Sequence, residues 1–116
     1  MLILIDANAS APVFEQIADQ VAGQIADGTL EQGSRLPAAR DLAEALEVNV
    51  HTVLHAYQRL RDESLIELRR GRGAVVTGLA VDENVRRAVE HSVASARAAG
   101  ISLTSLIALI RSEYTR

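Results

Sequence analysis

Two short apolar stripes, set close together, constrain this chain more than anything else in its sequence. Ala39, Leu42, Ala43 and Leu46 recur at i, i+3, i+4 and i+7, and Val53, Ala56, Tyr57 and Leu60 repeat the pattern. That spacing puts each set on one side of an α-helix. A helix over about 38–46 is followed, after residues 47–49, by one in the stretch 48–60 with Asn49 at its start. Two helices joined by so short a turn form a helix-turn-helix. The glycine usual in such a turn is absent here.

The second helix has an informative outer face. At ~100° per residue His51 and His55 lie opposite Val53. Gln58 also points outward, while Thr52 and Arg59 flank the stripe. The Asn49 side-chain oxygen is placed to accept an orphan backbone N–H as an N-cap. This face carries hydrogen-bonding groups and little bulk charge, as suits a helix that reads base edges in a major groove. The pattern taken alone also fits a core helix whose other side is merely wet.

The flanking segments extend the motif. Residues 65–68 and 74–77 read as strands around a turn at 69–73, where Gly71 and Gly73 allow a tight reversal. Arg69, Arg70 and Arg72 crowd that turn without an acid. A basic hairpin directly after a helix-turn-helix is a wing. Upstream, Phe14, Ile17, Val21 and Ile25 mark a first helix that Gly28 ends, with Ser10 as a candidate cap and Pro12 in its first turn. Residues 1–5 read as an edge strand that could pair beside the wing, since a lone hairpin is marginal. Downstream, Val81, Val85, Val89 and Val93 step by four along a helix over 82–99. Gly100 stops it, and a last helix over 102–114 carries Leu103, Leu106, Ile107 and Ile110 on one face.

Composition narrows the function classes. The chain has no Cys, which removes disulfides, Cys-based zinc sites and thiol nucleophiles. No apolar run approaches the ~18–20 residues of a membrane span. The start lacks the charge and length of a signal peptide, so the expected location is the cytoplasm. The net charge of −3 does not advertise nucleic-acid binding, but its distribution does more. Residues 1–29 carry four acids and no base, while residues 30–79 carry seven Arg against seven acids. Every basic side chain other than His is Arg, a planar fork suited to phosphate and guanine. No Ser/His/Asp order, phosphate-cradling loop or paired carboxylates suggest catalysis. His51 and His55 have the i, i+4 spacing of a metal pair, but Thr52 stands where a metalloprotease needs Glu. No metal and no cofactor are expected.

The segment 36–76 resembles the DNA-binding domain of GntR-type bacterial transcription regulators. The matching residues are Gly33, Leu36-Pro37, Arg40, Leu42-Ala43, Val48, Thr52-Val53, Ala56-Tyr57, Leu60, Leu65-Ile66 and Arg70-Gly71-Arg72-Gly73. Upstream, Pro12, Gln16-Ile17, Ile25 and Gly28 also fit. The short tail over 80–116 is similar to that of the YtrA-type branch, in which the tail serves dimerisation. Members of that branch often repress operons for ABC-type transporters, including their own gene. The resemblance implies a base contact for Arg40 and contacts to phosphates and base edges for Asn49, His51 and Thr52, and His55 is a further DNA-facing candidate on the outer face of the same helix. It implies a minor-groove wing tip at Arg70, Gly71, Arg72 and Gly73. Three departures stand out: Ala38 replaces a capping Ser, His55 a frequent Arg, and Ser64 a common Gly.

The expectation is a mostly helical α+β chain. It has a winged helix-turn-helix over 1–79 and a two-helix dimerisation hairpin over 80–116. Val85, Val89, Val93, Leu103, Leu106, Ile107 and Ile110 should meet a second copy, since a charged hairpin with two apolar stripes leaves area for a partner to cover. The expected function is a homodimeric repressor on a pseudo-palindromic duplex operator, with no membrane partner and an unidentified effector. A winged-helix protein–protein module without DNA binding is the alternative, favoured by the acidic balance and opposed by the basic wing. A small-molecule sensor is disfavoured, because so small a tail would not enclose ~300 Å³.

Overall fold

The computed structural model describes residues 1–116 and divides them into two compact units, Met1–Val81 and Asp82–Arg116. The element order is α1 (Val13–Ala26), α2 (Ala39–Leu46), α3 (Val50–Asp62), β1 (Ile66–Arg69), β2 (Gly73–Val76), α4 (Glu83–Ala98) and α5 (Leu103–Tyr114). It is the winged helix-turn-helix followed by two helices that the patterning predicts.

The first unit is built around the predicted stripes. Ile17, Val21 and Ile25 of α1 pack with Leu42 and Ala43 of α2 and with Val53, Ala56, Tyr57 and Leu60 of α3. Ile66, Ala74 and Val76 of the hairpin close this core. Each fully buried aliphatic side chain contributes about 1.5–3 kcal/mol relative to exposure. The turn between α2 and α3 works without glycine because Glu47 takes the left-handed conformation, at φ 57° and ψ 43°. Asn49 caps α3, its Oδ1 accepting from the His51 amide at 2.8 Å. Ala38 occupies the N-cap of α2 and makes no side-chain cap bond, as the departure at this position predicts.

Three expectations are corrected. Residues 1–5 form no strand beside the wing; the backbone of residues 33–36 takes that edge instead. Arg35 bridges Val75, the Leu36 amide donates to the Ala74 carbonyl at 2.9 Å, and the Val76 amide donates to the Ser34 carbonyl at 2.8 Å. The N-terminal segment lies along α1, held by a ladder of side-chain amides from Gln16, Gln20 and Gln24. The Gln20 amide accepts from the Leu4 N–H at 2.9 Å and donates to its carbonyl at 2.7 Å. Gln16 does the same for Asp6, and Gln24 donates to the Leu2 carbonyl. A carboxamide offers both donor and acceptor, so it stands in for a neighbouring strand. Ile3 is thereby buried in the core.

The second correction is the α1 cap, which is Pro12 without a side-chain bond and not Ser10. The third is the start of β1, one residue later than expected. The Leu65 amide bonds back to the Leu60 carbonyl at 2.9 Å, and Ser64 sits at φ 62°. Leu65 therefore belongs to the closing turn of α3. The antiparallel register runs from Ile66 opposite Val76 to Arg69 opposite Gly73, and Gly71 and Gly73 both have positive φ.

In the second unit Asp82 caps α4, with Oδ1 accepting from the Val85 amide at 2.9 Å, and Ser102 caps α5. The reversal at Gly100, with φ 72°, is closed by the Ile101 amide on the Ala96 carbonyl at 2.9 Å. Ala96 is the one buried apolar residue of the pair.

Candidate nucleic-acid interface

Three elements converge on one groove of the first unit. Pro37, Ala38 and Ala39 supply one wall at the start of α2, Leu54 and Tyr57 of α3 form the floor, and Leu68, Arg69 and Arg70 of the wing form the other wall. A single hydrogen bond fixes the first two. The buried Tyr57 hydroxyl donates to the Pro37 carbonyl at 2.7 Å, and burial raises its pKa. The phenol stays neutral and stays a donor across the physiological range.

The outer face of α3 is as expected from the helical wheel. His51, His55 and Gln58 are exposed, and Thr52 is half-buried. Asn49 spends its side-chain oxygen on the cap, which leaves its NH₂ donors for other work. His55 is not simply a free tip. Its ring stacks on Phe14 of α1, with centroids 3.8 Å apart and planes 14° from parallel. The Phe14 partner was not legible, because α1 and α3 are remote in sequence and their relative rotation is set by the core.

Arginine pairing sorts the basic residues. Arg59 ties α3 to α1 through Glu15 at 3.5 Å and Asp19 at 4.0 Å, and also meets Glu63. Arg61 pairs with Asp62, and Arg69 pairs with Glu67 at 2.8 Å. The other four arginines of this unit, Arg35, Arg40, Arg70 and Arg72, have no carboxylate within 4.0 Å. The i, i+4 pair between Arg40 and Glu44 that the spacing allows is not formed. All four lie on the α2 start, the wing tip or the chain segment beside β2. A guanidinium without an internal partner meets phosphate with no bridge to break. Arg35 is absent from the sequence-predicted set, because only its bridge to Val75 brings it to the wing. Leu54 was missed as well, since an apolar residue off the main stripe gives no sequence signal.

No group of three His, Asp or Glu side chains is arranged to hold a metal ion, and no helix is long and apolar enough to cross a membrane. The family model described as bacterial regulatory proteins, gntR family, matches residues 14–76. This chain belongs to the GntR family. The matched residues take in α1 from its second residue, all of α2 and α3, and the wing. The HTH-type transcriptional repressor YtrA of Bacillus subtilis is 38% identical over 76 residues, covering 66% of this chain and 58% of that protein. The HTH-type transcriptional regulator Rv1152 of Mycobacterium tuberculosis is 34% identical over 99 residues, covering 84% of this chain and 82% of its own. The structure of YtrA from Sulfolobus acidocaldarius, a GntR-family transcription factor, matches with a TM-score of 0.62 and 35% identity over 97% of each chain. The chain is therefore a GntR transcription regulator of YtrA type with a winged helix-turn-helix DNA-binding domain.

Proposed function

We propose that this chain is a cytoplasmic, homodimeric repressor that binds a pseudo-palindromic operator. The observation that carries the DNA-facing assignment is the arginine sorting. Arg40 at the start of α2 and Arg70 and Arg72 at the wing tip have no carboxylate within 4.0 Å, and Arg70 lines the groove, while the two arginines of α3, Arg59 and Arg61, are tied up in ion pairs. In this reading Arg40 and the Asn49, His51 and Thr52 corner approach base edges or adjacent phosphates in the major groove. His55 joins them from its stack on Phe14, and the wing tip at Arg70, Gly71, Arg72 and Gly73 enters the minor groove.

The tail supports the dimer. Val85, Val89, Leu103 and Ile110 are 48%, 54%, 71% and 51% exposed in the single chain. Val93 and Ile107 are exposed beside them, and Leu106 is half-buried. A second copy of the hairpin would cover this area around a two-fold axis, the commonest oligomer symmetry. The functional division then falls between the winged helix over 1–79 and the tail over 80–116. The YtrA likeness extends the proposal to operons of ABC-type transporters and to the chain's own gene.

The test is to sequence genomic fragments that co-purify with the full chain, then footprint the recovered sites. Two half-sites related by a dyad, about one helical turn or a small multiple apart, are expected. Fragments without a shared inverted repeat would end the operator reading.

A further inference from the structure

One exposed apolar side chain on α3 has no part in the contacts proposed above. Leu54 is 37% exposed, while every other exposed residue of that helix is polar or charged. It forms part of the groove floor between Ala38–Ala39 and the wing, where Leu68 is also 42% exposed. A leucine that served only to support the wing would be covered by it, whereas Leu54 keeps over a third of its surface open to the groove. The unpaired Arg70 stands on one wall of the groove and the helix carrying Arg40 on the other. Phosphates held by these guanidinium groups would bring base edges, not backbone, over Leu54. Leucine has no hydrogen bond to offer there. The one apolar feature that a base pair displays in the major groove is the 5-methyl group of thymine.

We infer that Leu54 is a specificity-determining residue that reads a thymine 5-methyl group in each half-site. This rests on the DNA-binding reading of the groove. The contact separates T·A from C·G at one position through shape alone, and it adds to whatever Arg40 and His51 read by hydrogen bonding.

The experiment takes the full chain and a duplex selected by it from a random library. Each dT is replaced in turn by dU, which deletes one methyl group and nothing else. One position per half-site should lose about fourfold in affinity, the worth of a single buried methyl-sized group. Placing 5-methylcytosine opposite guanine at that position should bind more tightly than plain cytosine. Leu54→Ala, which loses the contact in both half-sites at once, should bind the dT duplex more weakly by about fourfold per half-site, on the order of 16-fold for the intact operator, and lose its sensitivity to dU there, while Leu54→Met keeps it. Circular dichroism controls for folding, and the wild-type dU series needs no variant. A wild type indifferent to every dU substitution overturns the inference. So does a Leu54→Ala variant with undiminished dU sensitivity, which assigns the methyl group to another side chain. Failure to select any duplex overturns the DNA-binding reading itself, and this inference with it.

Discussion

The Tyr57 hydroxyl and the Pro37 carbonyl, 2.7 Å apart, join the middle of α3 to the chain just ahead of α2. Since α2 has no side-chain cap at Ala38, this bond is the polar tie that sets where the helix begins. The position of Arg40, one residue into α2, follows from it. Tyr57→Phe removes the donor and leaves a part-buried carbonyl unpaired. A loss of about 1–3 kcal/mol is expected in urea unfolding. The groove should widen as well, so operator affinity should fall although Tyr57 does not reach DNA.

The burial of the same side chain gives a stability profile at high pH. Burial raises the Tyr57 pKa in the folded state above the ordinary value of about 10. The neutral phenol is thus favoured by folding. Its contribution is fully present below about pH 10 and is lost as pH rises beyond that. The chain has no Lys and no Cys to titrate in this window. Thermal midpoints should hold from pH 7 to 9 and drop above 10. In Tyr57→Phe the alkaline drop should shrink, and a variant with the wild-type drop would mean that another group causes it.

Two non-glycine residues hold left-handed backbone, Glu47 at φ 57° and Ser64 at φ 62°. Each costs of order 1–3 kcal/mol, which the surrounding core sustains. Ser64→Gly relieves the steric term but adds unfolded-state entropy, so a net gain of about 0.5–1 kcal/mol is expected. Ala38→Ser restores a cap to α2 and should add about 1 kcal/mol. The sites do not touch, so the two gains should add in the double variant. Chemical denaturation of the four proteins measures this.

The helices were legible because a period of 3.6 in apolar residues depends only on which face meets the core. The stripes on α2 and α3 name the buried residues Leu42, Ala43, Val53, Ala56, Tyr57 and Leu60. The failures are physical. Residues 1–5 are a continuous apolar run that reads like a strand, but their partner is a ladder of glutamine amides on α1, and no β-pattern encodes that. His55 faces outward as the wheel says, yet its stack on Phe14 depends on how α1 crosses α3. Which arginines are free of ion pairs likewise requires knowing which acids lie across space.

Arginine pairing leads to distinct DNA-binding phenotypes. Arg40→Ala should cost about 1–3 kcal/mol and relax preference at one operator position. Arg72→Ala should weaken binding to most sequences and lower the salt slope by about 0.9 per lost phosphate contact. Arg61→Ala, which loses only a surface pair with Asp62, should leave both unchanged. Salt titrations of binding to specific and scrambled duplexes separate the three. An Arg40→Ala variant with intact affinity and preference would show that α2 docks differently.

The tail makes a separable prediction. Its charged residues pair along α4 itself, Arg86 with Glu90 at 3.3 Å and Arg87 with Glu83 at 3.4 Å. Its valines, Leu103, Ile107 and Ile110 stay exposed in the single chain, and Leu106 is half-buried. Leu106→Glu with Ile110→Glu would place two carboxylates in the proposed seam, where an unpaired buried charge is costly. The double variant should sediment as a monomer at low micromolar concentration and keep the helicity of the wild type. Truncation after Val81 is the stronger form of the test. That cut retains the Val81 amide bond to the Ala26 carbonyl at 2.9 Å, so the first unit keeps its closure. The truncated winged helix should stay folded and bind a single half-site weakly. It loses the effective concentration that links two half-sites, so affinity for the intact operator should fall by a factor on the order of 10²–10⁴. A double variant that still sediments as a dimer would move the interface off this hairpin, and a truncated chain with full operator affinity would remove dimerisation from the mechanism.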